Sequence, residues 1–225
     1  MQLGCIKFYF YFCGNRQMVA TSNLTYAYKN EEILVFPDIE LSTGQHLLVL
    51  GPSGVGKTTF LYLMAGLLPP FGGNVSIAGM ELNSLSRNQM DTFRGEHIGL
   101  IFQQYHFITS LNVLENLRLR QSFPKNINDT QRRKELMERL GLSEHLNKKV
   151  ATLSQGQQQR LSIALGLIHK PKIIFADEPT SNLDDFNCAQ VLELLREEAG
   201  ICGSSLLIIT HDQRVMSHFQ NQVML

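Results

Sequence analysis

The chain has 225 residues, of which 44% are hydrophobic and 18% charged, and this balance excludes a mainly disordered protein. Twenty Lys and Arg residues offset twenty Asp and Glu residues, so the formal net charge is zero. Nucleic-acid binders usually carry a basic excess, and we therefore expect no nucleic-acid partner. No apolar run reaches the roughly 18 residues that cross a bilayer, so a cytoplasmic location is predicted.

The first seventeen residues fit the rest of the chain poorly. Segments with a clear strand or helix pattern begin at Val19, directly after Met18. One hypothesis is that Met18 is the natural start, and an intact mass that includes Met1 would contradict it. The cysteines show no C-x-x-C spacing, which favours reduced thiols over a disulfide or a zinc site; they are Cys5, Cys13, Cys188 and Cys202.

Segments rich in β-branched and aliphatic residues alternate with helical patterns, which predicts an α/β fold with mostly parallel strands. Strands are predicted at Val19–Tyr28, His46–Leu50, Asn74–Ile77, Ile98–Phe102, Lys172–Ala176, Ser205–Ile209 and Gln222–Leu225. Helices are predicted at Lys57–Leu67, Asn112–Leu119, Asp129–Leu140, Gln157–Ile168, Asp185–Ala199 and Gln213–Phe219. No strong strand pattern occurs between about residues 111 and 169. We expect one domain over residues 1–225, with this stretch as a helical insertion and the charged run Arg132–Glu135 as a solvated helix face.

A phosphate-binding loop follows the strand predicted at His46–Leu50. The motif G-x-x-x-x-G-K-[ST] is formed by Gly51, Pro52, Ser53, Gly54, Val55, Gly56, Lys57 and Thr58, and Thr59 continues into a helix. Its backbone N–H groups and the helix dipole favour bound phosphates. Lys57 can reach the β- and γ-phosphates, and the Thr58 hydroxyl suits Mg²⁺. The strand–loop–helix context therefore predicts a site for a nucleoside triphosphate.

Two carboxylates follow the apolar strand residues Ile173–Ala176. Asp177 is expected beside the phosphate loop, where it can hold Mg²⁺ directly or through water. Because side chains alternate along a strand, Glu178 is expected to point elsewhere and to deprotonate the attacking water. A solvated acidic loop is the alternative, which four preceding apolar residues disfavour.

Five further features resemble motifs of the ATP-binding-cassette (ABC) ATPases, and they occur along the chain in the order found in that family. Leu153-Ser154-Gln155-Gly156-Gln157 resembles the L-S-G-G-Q signature, with Gln155 in place of the first glycine. The other four are Gln103 in a Q-loop, Asp184 in a D-loop, His211 as the histidine near the γ-phosphate, and Tyr28 as the aromatic that stacks on adenine. His211 could instead be an ordinary surface histidine, and Tyr26 competes with Tyr28 because both are predicted on one strand face.

The resemblance implies a P-loop NTPase (RecA-like) core with a mostly parallel sheet, an antiparallel β subdomain and a helical signature subdomain. It implies an ATPase in which Lys57, Glu178 and His211 are catalytic, and Thr58, Asp177 and Gln103 hold Mg²⁺. The signature residues Ser154, Gln155, Gly156 and Gln157 would contact the ATP held by a second subunit, so ATP would join a homodimer.

The resemblance also implies a separate transmembrane permease and a peripheral location on the cytoplasmic face of the membrane. The strip Gln104–Ile108 is expected to border the groove for that permease, although Phe107 and Ile108 could equally be core. The sequence from Ala176 to Asp184 is similar to the corresponding sequence in a subgroup of ABC ATPases that serves lipoprotein release and macrolide export. A regulator of a cell-division or cell-wall complex, or a non-transport ABC ATPase, remains an alternative.

Overall fold

The computed structural model describes residues 17–29, 32–123, 128–181 and 183–225. Predictions about Cys5, Cys13 and the extension before Met18 therefore lie outside the described residues, as does Asn182 of the D-loop. Among the described helices, none combines the length and apolarity of a membrane span.

Ten strands and six α-helices make up the regular structure of the described residues. The strands are β1 (Gln17–Tyr26), β2 (Leu34–Val35), β3 (Glu40–Ser42), β4 (His46–Leu50), β5 (Gly72–Ile77), β6 (Met80–Glu81), β7 (Ile98–Ile101), β8 (Ile173–Asp177), β9 (Ser205–Thr210) and β10 (Asn221–Met224). The helices are α1 (Lys57–Met64), α2 (Arg87–His97), α3 (Val113–Gln121), α4 (Thr130–Arg139), α5 (Gln155–Leu167) and α6 (Asp185–Cys202). Short 3₁₀ helices occur at Leu82–Ser84, Ser143–His145, Val150–Thr152 and Gln213–His218.

The central sheet has the strand order β10-β4-β9-β8-β7, and every pairing in it is parallel. Both faces of this sheet are buried, as is usual when crossover helices cover a parallel sheet. Alternate residues of β4 show this: Leu47 and Val49 enter one apolar cluster, whereas Leu48 and Leu50 enter the other. The phosphate loop after β4 and the two carboxylates at the end of β8 thus lie at the same carboxyl edge of the parallel sheet, separated by β9, where such sheets keep their ligand sites.

A second, antiparallel sheet has the order β2-β1-β5-β6, with β3 also pairing with β1. It packs with α1 around one apolar cluster that includes Phe36 and Phe60, whose rings stack 5.0 Å apart. Helices α3, α4, α5 and α6 pack around the other cluster. The α/β fold of a P-loop NTPase with an antiparallel β sheet and a helical region is therefore confirmed.

Several predicted boundaries were wrong. Strand β1 ends at Tyr26, so Tyr28 lies in the following loop and not on the strand face. Helix α5 begins at Gln155, two residues earlier than predicted, because Ser154 caps it. The segment after His211 forms a 3₁₀ helix, and α2 was missed because Met90 and Phe93 are its only large apolar residues, which is too few for a clear apolar stripe.

The charged run at the start of α4 is only partly a solvated face: Lys134 and Glu135 are exposed, as predicted, but the two arginines are buried. Arg132 and Arg133 are only 3% and 5% exposed. Arg132 Nη2 lies 3.1 Å from Oε2 of the buried Glu198 of α6, and Arg139 Nε lies 2.5 Å from Oε1 of the same residue. An ion pair offsets the cost of burying these charges, so this side of α4 packs against α6 instead of facing water.

Candidate active site

The phosphate loop connects β4 to α1 and turns sharply at two glycines. Gly54 and Gly56 have φ angles of +85° and +100°, a region that side-chain-bearing residues rarely adopt. A Cβ on Gly56 would also lie 3.3 Å from Leu34 Cδ1 of the antiparallel sheet. The loop therefore reaches the first turn of α1 with its backbone curled, and the N-terminal N–H groups of α1 point out of the helix.

Lys57 is buried at the base of the loop, with 7% of its side chain exposed. Its Nζ donates to the carbonyl oxygens of Gly51 at 2.9 Å and Pro52 at 3.0 Å. The same Nζ lies 3.6 Å from Glu178 Oε1. The ammonium group is thus positioned inside the loop and between the loop and a carboxylate.

Asp177 ends β8 directly beside the phosphate loop. Its Oδ2 accepts a hydrogen bond of 2.8 Å from the Thr58 hydroxyl, whereas its buried Oδ1 has no partner among the described residues. Burial raises the pKa of Asp177; the nearby Glu178 carboxylate adds to the rise, while the Thr58 bond and Lys57 oppose it.

These oxygens fit Mg²⁺. Mg²⁺ prefers oxygen ligands and is usually held by one or two carboxylates together with substrate phosphates. Asp177 Oδ1 is an unsatisfied buried oxygen next to a hydroxyl oxygen, and the described residues contain no cluster of three or more His, Cys, Asp or Glu side chains that would form an all-protein metal cage.

Glu178 follows the strand with φ +48°, a left-handed conformation that is uncommon for a residue with a side chain. Its Oε2 accepts 2.7 Å from the Thr210 hydroxyl at the end of β9. Its Oε1 accepts from the His211 backbone N–H at 3.1 Å and lies 2.7 Å from His211 Nδ1. The prediction that strand alternation turns Glu178 away from the loop was wrong, since the residue lies beyond β8 and its carboxylate faces Lys57.

These groups line one cavity of about 330 Å³. Gln103 and His211 form its rim, and both are exposed; 53% of the His211 side chain is accessible. The cavity is lined by Ser53, Gly54, Gly56, Lys57, Thr58, Thr59, Gln103, Glu178 and His211. The arrangement can hold phosphate next to a cation and a carboxylate, as phosphoryl transfer requires.

Tyr28 lies at the side of the site. Its hydroxyl is 2.8 Å from Oγ1 of Thr59, the third residue of α1, and its ring meets that of Tyr26 edge to face at 4.9 Å. Tyr28 is 43% exposed, so a ring face is available near the phosphate loop.

The signature residues occupy the exposed start of α5. Ser154 Oγ accepts from Gln157 N at 3.3 Å, and Gln157 Oε1 accepts from Ser154 N at 3.0 Å, which is a capping box. Nothing approaches within 4 Å of the position that a Cβ on Gly156 would occupy. Within the chain, Gln155 borders a small cavity of about 80 Å³ that Gln103 and Glu178 also line.

Asp184 caps α6 by accepting 2.8 Å from Asn187 N, and this bond lowers the pKa of Asp184. Arg214 joins this region to the loop that carries His211. Its Nη1 donates to Leu183 O at 3.2 Å and to Asp185 Oδ1 at 2.6 Å, and its Nη2 donates to Asp212 Oδ2 at 2.8 Å.

Sequence reasoning missed three residues that support the site: Thr210, Arg214 and Gln159. Gln159 is buried in α5 and its side-chain amide donates to the Pro179 carbonyl, directly after Glu178. Thr210 could have been found, because it directly follows the strand predicted at Ser205–Ile209 and precedes His211. No local pattern distinguishes Gln159 from its neighbours Gln157 and Gln158.

The buried lysine, the curled loop and the paired carboxylates at one edge of the parallel sheet define a P-loop NTPase. The sequence profile of the ABC transporter family matches residues 37–181. The lipoprotein-releasing system ATP-binding protein LolD of Colwellia psychrerythraea is 38% identical over 200 residues, which cover 86% of this chain and 77% of that protein. An uncharacterized ABC transporter ATP-binding protein of Methanocaldococcus jannaschii is also 38% identical, over 80% of this chain and 81% of that protein.

Solved structures agree with these sequence matches. The ATP-binding cassette MJ0796, in a dimeric post-hydrolysis state bound to ADP and Pi, has a TM-score of 0.82 and 32% identity, covering 92% of this chain and 94% of that chain. CbiO1 from Clostridium perfringens, part of the ABC transporter complex CbiONQ, has a TM-score of 0.83 and 26% identity, covering 93% and 84% of the two chains. The chain belongs to the ABC transporter family and is an ATPase subunit of that family.

Proposed function

We propose that two copies of this chain hydrolyse Mg-ATP between them and thereby energise a separate membrane permease that releases lipoproteins or exports a related cargo. The observation that carries the proposal is the 330 Å³ cavity, in which Lys57, Thr58 and Glu178 converge on the curled phosphate loop. The similarity to LolD, the ATP-binding protein of a lipoprotein-releasing system, supports the choice of cargo, and the dimeric state of MJ0796 supports the pairing of two copies.

Thr58 and Asp177 would hold Mg²⁺, with Gln103 reaching it from the rim of the cavity. The ion would neutralise charge on the β- and γ-phosphate oxygens. The Thr58 hydroxyl has free lone pairs for the ion while it donates its proton to Asp177. Lys57 would exchange its contacts with Gly51 and Pro52 for the phosphate oxygens, because a charge-assisted hydrogen bond to phosphate is stronger than one to a carbonyl.

Glu178 would act as the general base. Its carboxylate takes a proton from a water as the water oxygen attacks the γ-phosphorus, and the bond between that phosphorus and the β-phosphate oxygen breaks to give ADP and phosphate. Thr210 and His211 orient the carboxylate, as their 2.7 Å contacts with its two oxygens indicate. His211 stands 53% exposed at the rim, from which it can also meet the γ-phosphate.

A second copy would complete each site. Ser154, Gln155 and Gly156 are exposed at the N-terminus of α5, a position where backbone N–H groups and the helix dipole attract phosphate. Gln155 is the first helical residue, so it can present its backbone N–H in place of the glycine that the family signature carries. Tyr28 would stack on the adenine of the nucleotide held by its own chain.

The permease would dock on the cytoplasmic side of the membrane, against a groove of about 420 Å³ next to α3. Phe107 and Ile108 of the predicted strip both line this groove. Phe107 also packs against the core, whereas Ile108 is 44% exposed. Phe107 is therefore partly core, whereas Ile108 is the residue of the strip that is available to a partner.

The test is reconstitution of the chain with the permease encoded beside its gene in proteoliposomes loaded with a lipoprotein. We expect ATP-dependent release of the lipoprotein to an acceptor, and no release with Lys57→Ala, which lacks the phosphate-binding ammonium group. ATP-driven uptake of a small solute, or release that does not depend on ATP, would contradict the proposal.

A further inference from the structure

The groove beside α3, here called the α3 groove, is lined by apolar side chains that stay accessible. Ile108, Leu119 and Phe123 are 44%, 37% and 63% exposed, and all three border the same cavity. Large apolar side chains that cluster around a concavity typically mark a contact surface for another molecule.

Two arginines line the α3 groove, and none of its lining residues is acidic. Arg94 is neutralised within the chain, because its guanidinium pairs with Asp91. Arg120 is different: its nearest acceptors are the Gly95 and Phe123 carbonyls, each at 3.5 Å, and His169 Nε2 at 2.8 Å. No ion pair joins Arg120 to a carboxylate of the described residues, and the neighbouring residues 124–127 contain no Asp or Glu in the sequence.

His169 cannot supply the missing negative charge. Burial lowers the pKa of His169 to about 3, with the Arg120 charge as the second cause, so its ring is neutral at physiological pH. Burial likewise lowers the pKa of Arg120 to about 10. Arg120 remains protonated at neutral pH, and the chain therefore keeps a desolvated cation at the wall of an apolar groove with only neutral partners, which is costly unless an anion arrives.

We propose that the α3 groove binds a segment of the permease that carries a carboxylate side chain, which pairs with Arg120 while apolar side chains of the segment cover Ile108, Leu119 and Phe123. The inference rests on the proposed permease partner and specifies its chemistry. A planar guanidinium can bind a carboxylate through two parallel hydrogen bonds, so Arg120 would also determine the orientation of the segment.

The first experiment measures sedimentation of the purified chain with inside-out membrane vesicles of the native host from which peripheral proteins have been stripped. Arg120→Glu should weaken binding by about tenfold or more, because it places like charges together in a desolvated contact. Arg118→Glu is the matched control, since it makes the same charge change at an exposed position of α3 and should alter binding by less than about threefold. Unchanged ATP affinity and melting temperature establish that both variants fold.

A second measurement identifies the carboxylate and does not require Arg120→Glu to fold. Arg120→Lys keeps the positive charge and places an amine in the groove, and a water-soluble carbodiimide joins an amine to a carboxylate in direct contact. Peptide mass spectrometry of the vesicle sample should find Arg120→Lys joined to an Asp or Glu in a cytoplasmic segment of an integral membrane protein.

The outcomes separate this inference from the proposed function. Equal binding by the parent and Arg120→Glu chains, or a cross-link absent from every integral membrane protein, would overturn the role of Arg120 while leaving a vesicle-bound ATPase. Failure of the parent chain to bind the vesicles at all would contradict the proposal of a permease partner, and with it the proposed role of Arg120.

Discussion

Asp177 is a buried carboxylate with one satisfied oxygen and one unsatisfied oxygen. Thr58 donates to Oδ2, whereas Oδ1 lies buried without a partner in the described structure. The buried oxygen without a partner costs stability in the empty protein, and this is what the proposed Mg²⁺ site predicts. Functional sites commonly show this conflict between stability and ligand binding.

Asp177→Asn should stabilise the nucleotide-free protein at neutral pH. Because burial raises the pKa of Asp177, the folded state holds its proton to a higher pH than the unfolded chain does. The free energy of unfolding of the parent therefore falls as the pH rises from the ordinary Asp pKa through the raised pKa of Asp177. Asparagine does not ionise, so the stability of Asp177→Asn does not fall over this pH range. Thermal unfolding at neutral pH should give a melting temperature a few degrees above the parent.

The control for Asp177→Asn is the same measurement with ATP and increasing Mg²⁺. Mg²⁺ should stabilise the parent further in the presence of ATP and should have little additional effect on the variant. A variant that melts below the parent at neutral pH would show that the Asp177 charge stabilises the empty protein and that burial is not its main influence.

At the residue scale, motif spacing predicted the residues that converge on the phosphate cavity, but not the contacts that position them. Lys57 and Thr58 could be predicted because a phosphate loop needs these residue types at set distances along the chain. The contact between Thr210 and Glu178 depends on which strands are neighbours in the sheet, and one sequence carries no such information. Arg132 was misassigned for the same reason, since its partner Glu198 lies 66 residues away.

Helix α5 makes the signature serine both a helix cap and a candidate phosphate ligand. Ser154→Ala removes the cap, which should cost about 1 kcal/mol of stability. Ser86 forms the same kind of capping box with Gln89 at the start of α2, where no site residue is predicted, so Ser86→Ala is the matched control. Both variants should lose similar stability, whereas only Ser154→Ala should weaken ATP-dependent dimerisation.

Light scattering with ATP and without Mg²⁺ measures this difference, because omission of the metal blocks turnover. The parent and Ser86→Ala should show a particle of twice the 25.5 kDa chain mass, and Ser154→Ala should remain mostly a monomer. Equal dimerisation by both variants would mean that Ser154 serves only its own helix.

Gln155→Gly tests the departure from the family signature. Gln155 is exposed in the first turn of α5, where glycine costs little because the turn is only partly restrained. Since Ser154 and Gly156 already match the family signature, we expect the hydrolysis rate to change by less than about threefold. A change of a hundredfold would assign Gln155 a role through the small cavity that it shares with Gln103 and Glu178.

At the element scale, long segments with a clear apolar period were predicted and solvent-exposed ones were not. Strands β4, β8 and β9 are continuous apolar runs because both faces of the sheet are covered. Helix α2 places only Met90 and Phe93 against an apolar cluster, so its sequence shows too short an apolar stripe for the helix to be recognised. Strands β2 and β6 have only two residues each and form by pairing with β1 and β5.

At the scale of the whole molecule, strand order brings the catalytic groups together. Strand β9 lies between β4 and β8, so the phosphate loop after β4, Thr210 at the end of β9 and Glu178 after β8 lie at one edge of the sheet. The alternation of strands and helices predicts a parallel sheet but not the order of its strands.

The central claim is that Glu178 is the base of an ATPase site built on the phosphate loop. Glu178→Gln keeps nearly the same shape, and its amide can still accept from His211 N while Thr210 changes from donor to acceptor, so the fold should persist. The decisive measurement is the rate of phosphate release from saturating Mg-ATP by the parent and variant chains. The rate should fall by about a hundredfold or more with ATP affinity retained, whereas release within about twofold of the parent rate would contradict the assignment of Glu178 as the base.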